Sequence, residues 1–402
     1  MAAGASGIRR LDDLDVRGKR VLVRLDLNVP MDEGVITDKT RIARVVPTLK
    51  ELLERGAALV VISHFGRPKG KRQPSMSLEA LAAPLSEALG GLKVAFAEDC
   101  IGEAAAGAAR VLEPGDVLLL ENLRFHPEEE KNDKGFAAAL AGLADAYVND
   151  AFSASHRAHA SVAAVAQLLP SAAGRLMEQE VVALSRTLER PERPLAAIVG
   201  GAKISTKLEL LSNLVKKVNF LIVGGGMANT LLAAGRVKIG KSLCEHAMLE
   251  AARTVIEATR GADCALLLPV DAVIAREFRR NAPSQTVLVN AVPEDAMILD
   301  LGPRTVQGIN HRLRDSRSLV WNGPLGAFEL PPFDRATNEV AREAARLTKA
   351  GTLLSVAGGG DTVAALAHAG VVDDFSYVST AGGAFLEWLE GKPLPGVEAL
   401  RA

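Results

Sequence analysis

The sequence predicts an α/β protein of two doubly wound domains, each a parallel sheet covered by helices on both faces. Three observations carry this. At 402 residues the chain exceeds what one core ordinarily serves. Short apolar runs alternate with helical patterns almost from end to end. The runs are apolar throughout rather than at every second residue, the mark of strands buried on both sides.

Taken in order, RVLVRLDL (20–27), ALVVISH (58–64), DVLLLEN (116–122) and AYVND (146–150) read as strands of the first half. PLAAIVG (194–200), FLIVGGG (220–226), ALLLPVD (265–271), LVWNGP (319–324) and TLLSVAGG (352–359) read as strands of the second. Between them, TRIARVVPTLKELLERG and STKLELLSNLVKKV carry apolar residues at helical spacing with glycine near the ends. Strand–helix–strand repeated this often requires parallel pairing. LMEQEVVALSRTLERPERP reads as one exposed helix closed by a proline-rich turn. It is the expected connector, dividing the chain into 1–172, a linking helix at 173–190 and a second domain at 191–388.

Composition limits the partners. Lys and Arg number 47 against 48 Asp and Glu, and aromatics are 4%. Neither the basic excess of a nucleic-acid or membrane binder nor stacking platforms for single strands are present. Three widely spaced cysteines without a C-x-x-C pair suit a reducing cytoplasm. The first residues lack the apolar core of a signal peptide, and no run is long enough to span a bilayer. The expectation is a cytoplasmic protein with small-molecule partners.

Ligands of parallel sheets gather beyond the carboxyl ends of the strands, and the two halves place different chemistry there. The first half presents Asp26 and Asn28, His64 and Arg67, Arg124, then Asp150 with His156 and Arg157. With Arg41, at least four arginines can converge, and guanidinium forks match phosphate and carboxylate oxygens. The second half presents Gly200–Gly201 before Lys203 and Lys207, Gly224–Gly226, and Gly358–Gly360 before Asp361. There the backbone itself can approach a phosphate at a helix start, two lysines share a helix face, and a carboxylate suits magnesium.

Two motifs are rejected. GRVKIGKSL (235–243) fits the phosphate-loop letters, but Gly235 follows a helical stretch and not a strand. Gly235 is expected to be a left-handed helix cap, with Ser242 and Glu245 as a capping box for the next helix. Lys241→Ala should then leave nucleotide affinity nearly intact. The dinucleotide pattern G-x-G-x-x-G breaks at Asn229 and at Val363. His156 and His159 have no third ligand in view, so zinc is not expected.

The motifs VRLDLNVP, SHFGRPKG, LLLENLRFHPEEEKND, YVNDAF with HRAHAS, GGAKISTKL, GGGMANT, LLPVDAV, VWNGPLGAFE, GGGDT and STAGGAFLEWLEGKPLPGV resemble, in that order, the phosphoglycerate kinase family. The resemblance runs from about residue 8 to the end. It implies two domains facing across a cleft, with residues 389–402 returning to the first. It implies phosphoglycerate binding by Asp26, Leu27, Asn28, Arg41, His64, Phe65, Gly66, Arg67, Arg124 and Arg157. It implies nucleotide binding by Lys203, Lys207, Gly302, Glu329, Gly359, Gly360, Asp361 and Thr362, with Asp361 on Mg²⁺. Arg41, Lys207 and Gly360 would act on the transferring group.

The implied reaction is reversible acyl-phosphate transfer from 1,3-bisphosphoglycerate to ADP, in a monomer that closes about a hinge at 175–189 and Ser379–Gly383. Other phosphotransferases and a non-catalytic anion clamp are the rival readings. The sequence departs from the family pattern at Phe65, Ser153–Ser155, Asn229, Ala381 and Phe385.

Overall fold

The computed structural model describes residues 7–32 and 34–401. The chain divides into two compact units, one of Met1–Val182 with Pro393–Ala402 and one of Ala183–Lys392. In the first unit six strands form one sheet: β1 (Arg20–Arg24), β2 (Ala58–Ile62), β3 (Val94–Ala97), β4 (Val117–Leu120), β5 (Ala146–Asn149) and β6 (Ser171–Ala173). Their order is β3-β4-β2-β1-β5-β6 and every pairing is parallel. β1, in the interior, pairs Val21 with Leu59 on one side and with Ala146 on the other.

In the second unit β7 (Leu195–Val199), β8 (Phe220–Val223) and β9 (Ala265–Leu267) are followed by a three-stranded antiparallel sheet. Its strands are β10 (Asp271–Ala275), β11 (Ser284–Leu288) and β12 (Met297–Leu301). Then come β13 (Ser318–Asn322), β14 (Leu354–Gly358) and β15 (Tyr377–Ser379). The parallel sheet runs β9-β8-β7-β13-β14-β15. In both units the chain first winds to one side of a founding strand and later resumes on its other side. That reversal leaves a crevice at the strand ends, between β1 and β5 and between β7 and β13.

The nine predicted strands all form. The sequence reading missed the edge strands β3, β6 and β15 and most of the antiparallel sheet. β3, β6 and β15 read VAFA, SAA and YVS, short and without the unbroken aliphatic run that marks the strands that were read. β11 is largely exposed and polar, SQTVL, so it shows no apolar run.

Helix α1 (Thr40–Glu54) buries Ile42, Val45, Leu49 and Leu52 at helical spacing and so lays one stripe on the first core. The connector differs from the exposed helix expected. It consists of α2 (Arg175–Leu184) and a π-helical turn at Ser185–Glu189, and Met177, Val181, Leu184 and Leu188 are buried. Glu180, Ser185 and Thr187 are buried with them, so the polar letters of this stretch do not mark exposed positions. Arg175 fastens the first turn of α2 by ion pairs to Asp12, Glu51 and Glu178 at 2.7–2.8 Å.

The last residues pack in the first unit. Arg9 N donates to Leu400 O at 2.8 Å, Gly396 N donates to Ser155 O at 2.9 Å, and Val397 and Leu400 are buried. Among the described residues no helix is long and apolar enough to cross a membrane.

Candidate functional sites in the two units

In the first unit the loops after β1, β2, β4 and β5 are cross-braced by hydrogen bonds. Asp26, just past β1, forms an ion pair with Arg41 of α1 and accepts from the Ser153 hydroxyl and from Asn28 N, the last at 3.0 Å. Leu27 N donates to Ser63 Oγ at 2.9 Å. Asn28 Oδ1 accepts from Gly66 N at 2.8 Å, and Arg124 donates to Gly66 O at 2.8 Å. Asn122 holds Phe65 at both its N–H and its carbonyl, at 3.1 and 2.7 Å. Asp26, Leu27, Asn28, Arg41, Phe65, Gly66 and Arg124 are thereby brought together. Arg67 and Arg157 are exposed, and Arg157 Nε meets His156 Nε2 at 3.2 Å.

Burial works against ionisation of Asp26, but Arg41, the Ser153 hydroxyl and the Asn28 N–H prevail and hold its carboxyl below the usual range. His64 is driven well below the ordinary histidine value by burial and by the Arg24 guanidinium, which lies 3.0 Å from Nδ1. At neutral pH its ring is uncharged.

The sequence reading did not single out Arg24, because it ends β1 in the middle of the apolar run 20–27. The structure shows it wholly buried beneath this cluster. Its Nε donates to Ser161 Oγ at 2.9 Å, and Ser161 in turn gives its N–H and hydroxyl to Glu129 at 2.9 and 2.6 Å. Burial pushes the Glu129 carboxyl up, against the pull of Arg24 and Ser161. Arg24→Met is expected to lower the unfolding free energy by ~3 kcal/mol near neutral pH, since it strands a buried carboxylate. The loss should shrink as pH falls and Glu129 takes up a proton, which chemical denaturation at several pH values would measure.

In the second unit the crevice between β7 and β13 is closed by backbone. A Cβ on Gly200 would fall 1.8 Å from Pro324 O, so no other residue lets these two loops cross. Lys207 lies just before α3 (Leu208–Val215) and its Nζ donates to Gly200 O at 2.7 Å and Asn322 O at 3.2 Å. The ammonium is thus stationed where the sheet order reverses. Desolvation lowers its pKa to about 8, with Asp361 pulling the other way.

Two further helices begin at this edge, α4 (Gly225–Ala234) after β8 and α7 (Gly360–Ala369) after β14. Their positive ends suit an anion. Gly359 caps α7 at φ 98°, where a Cβ would meet Asn322 Nδ2 at 2.7 Å. The Thr362 hydroxyl accepts from Gly323 N at 2.7 Å and donates to Gly358 O at 2.8 Å, tying α7 to the β13 loop. Gly360, Asp361 and Lys203 are exposed.

A cavity of about 600 Å³ adjoins this edge, lined by Gly201, Gly225, Leu243, Leu325, Glu329 and Asp361 among others. Gly302 is not among its lining. It caps α5 (Pro303–Asp315), with the Asp271 carboxylate filling the place of a Cβ. Asp300 does line it. Ala336 N, at the start of α6 (Arg335–Lys349), donates to its Oδ2 at 3.0 Å, and burial raises the carboxyl to about 8.

The phosphate-loop decoy resolves differently from its expected details. Gly235 has φ −78°, and the left-handed residue is Arg236 at φ 66°. Ser242 and Glu245 form no capping box. The Ser242 hydroxyl bonds Ile239 O and accepts Ile298 N at 2.8 Å, while Glu245 accepts Ser205 N at 2.9 Å. These tertiary partners outcompete the local ones. No helix starts at Lys241; its N–H goes to Ala296 O at 2.8 Å and its exposed side chain borders the cavity. Lys241→Ala is expected to change nucleotide affinity at most about fivefold, as for an exposed ion pair.

Among the described residues one mixed group of metal-ligating atoms occurs, Asp99, Cys100 and His126 in the first unit. Asp99 Oδ1 already takes Cys100 N and His126 Nε2, each at 2.7 Å, and burial keeps Cys100 a thiol. His159 is buried against Glu129, and burial lowers it to about 3.

The family model for phosphoglycerate kinase matches residues 11–392. The phosphoglycerate kinases of Methylorubrum extorquens and Rhizobium meliloti are 62% and 60% identical to the chain, over 98% of each partner in both comparisons. Among solved structures, that of phosphoglycerate kinase from Coxiella burnetii superposes with a TM-score of 0.91 at 42% identity, covering 98% of both chains. The Pyrococcus horikoshii enzyme superposes with a TM-score of 0.81 at 30% identity over the same shares. The chain therefore belongs to the phosphoglycerate kinase family.

Proposed function

We infer that the protein catalyses the glycolytic transfer of the acyl phosphate of 1,3-bisphosphoglycerate to ADP, giving 3-phosphoglycerate and ATP, and the reverse. The observation that supports this reading best is the division of charge between the units. One carries Arg41, held by Asp26 beside Arg124 and a neutral His64; the other carries Lys207 at a glycine-built crevice.

In either direction the acceptor is already ionised, a carboxylate or a terminal phosphate, so no general base is required. Charge must instead be stabilised as the phosphoryl group moves in line. We assign Asp26, Asn28, His64, Arg67, Arg124 and Arg157, with the backbone at Leu27, Phe65 and Gly66, to the phosphoglycerate. Lys203, Lys207, Glu329, Gly359, Gly360, Asp361 and Thr362 are assigned to the nucleotide, and Gly302 to the support behind its cavity.

Arg41, Lys207 and the N-terminus of α7 at Gly360 are assigned to the transferring group. Asp361 is exposed at that terminus, and its carboxylate would suit a hard cation bound with the nucleotide. Magnesium bound there with the nucleotide would neutralise phosphate charge. With the two substrates assigned to different units, transfer requires closure, and we place its hinge at 175–189 and Ser379–Gly383. A monomer suffices for this chemistry. The test is a coupled assay with 3-phosphoglycerate and ATP. Absence of 1,3-bisphosphoglycerate formation by the folded protein would overturn the assignment.

A further inference from the structure

We propose that Asn229 reads the polar edge of the nucleotide's purine, and so sets base preference at the second unit's cavity; this rests on the nucleotide assignment above. Asn229 is on α4 and only 2% exposed, yet its Oδ1 has no hydrogen-bond partner, and the residue lines the cavity. A buried amide left unpaired is costly, and native proteins keep few of them.

Its neighbour Thr230 shows what a structural role looks like: that hydroxyl donates to Gly226 O at 3.1 Å and accepts Glu245 N at 3.2 Å. Asn229 supports nothing comparable. The cavity around it is walled by Leu243, Phe278, Met297, Leu301 and Leu325. Apolar walls with one amide among them fit a flat heteroaromatic ring whose rim carries hydrogen-bonding groups.

A carboxamide offers a donor and an acceptor on one head, and rotation by half a turn exchanges them. It can therefore accept from an amino group at carbon six of the purine while donating to a ring nitrogen, the pairing that asparagine makes with adenine. Asp300 also lines the cavity with an unpartnered Oδ1, but its other oxygen caps α6, so it has a structural task already.

The experiment measures dissociation constants by calorimetry for ADP and for purine riboside diphosphate, which lacks the six-amino group. Wild type, Asn229→Leu and Asn229→Ser are compared. Wild type should bind ADP roughly five- to tenfold more tightly, the worth of one hydrogen bond, and in both variants the ratio should fall to within about twofold of one. Leucine has a similar volume and no unpaired oxygen, so the ligand-free Asn229→Leu protein should unfold at the same temperature or higher. A structural role would instead lower it.

Equal binding of both diphosphates by wild type, which needs no variant, overturns the proposal. So does a ratio that survives in either folded variant. Turnover is measured separately. Discrimination without phosphoryl transfer would sink the kinase assignment alone, and transfer without discrimination would sink the role of Asn229 alone.

Discussion

Arg41→Ala is expected to lower kcat by at least about 10²-fold, with a much smaller change in the KM for 3-phosphoglycerate. The proposed role of the guanidinium is to meet charge that grows as the phosphoryl group moves, and removing one such donor typically has this cost. Asp26, buried and ionised, is the group that aims it. Arg41→Lys should recover only part of the rate, since a point charge does not reproduce a planar fork. Asp26→Asn should fall between wild type and Arg41→Ala. Steady-state kinetics in both directions would check all three. An unchanged kcat in Arg41→Ala would remove the residue from the transition state and leave it a role in binding.

The second large effect concerns Lys207. Its substitution by alanine should reduce kcat/KM for the nucleotide by about 10²-fold or more. The wild-type pH profile should carry its signature. The ammonium is stripped of water at the crevice and its pKa is lowered to about 8. The charge is therefore complete below that pH and is lost as pH rises through it. Because kcat/KM reports the free enzyme, this parameter should be level near neutrality and fall above pH ~8. Lys207→Arg, whose charge does not titrate in that range, should be slower but free of the fall. A wild-type profile that stays level to pH ~10 would contradict the assignment.

Much of the fold could be read because burial on both faces writes itself as unbroken apolar runs. β1, β2, β4 and β5 announced themselves, and the charged residues directly after them stand in the first candidate site. What escaped was of three kinds. Edge strands such as Ser171–Ala173 are short and made of small or polar residues, so no aliphatic run marks them. Local rules failed where a distant partner was available, as when Ser242 turned to Ile298 N and left the next helix uncapped.

Buried polar residues were the third kind. Arg24 closes β1 within an apolar run, and the sequence gives no hint that Ser161, itself bonded to Glu129, receives its guanidinium. Ser153 and Asn229 could be noticed as departures from a family pattern, but only coordinates place one on Asp26 and the other at the cavity wall.

The pairing of Ile8 with Arg401 has a consequence for biosynthesis. The first unit draws on both Met1–Val182 and Pro393–Ala402, so it cannot be finished until that later segment has been made. The intervening polypeptide, Ala183–Lys392, is complete before that moment and so has the earlier opportunity to fold. A released polypeptide truncated after residue 392 should thus hold a protease-resistant second half beside a first half that is still readily cleaved.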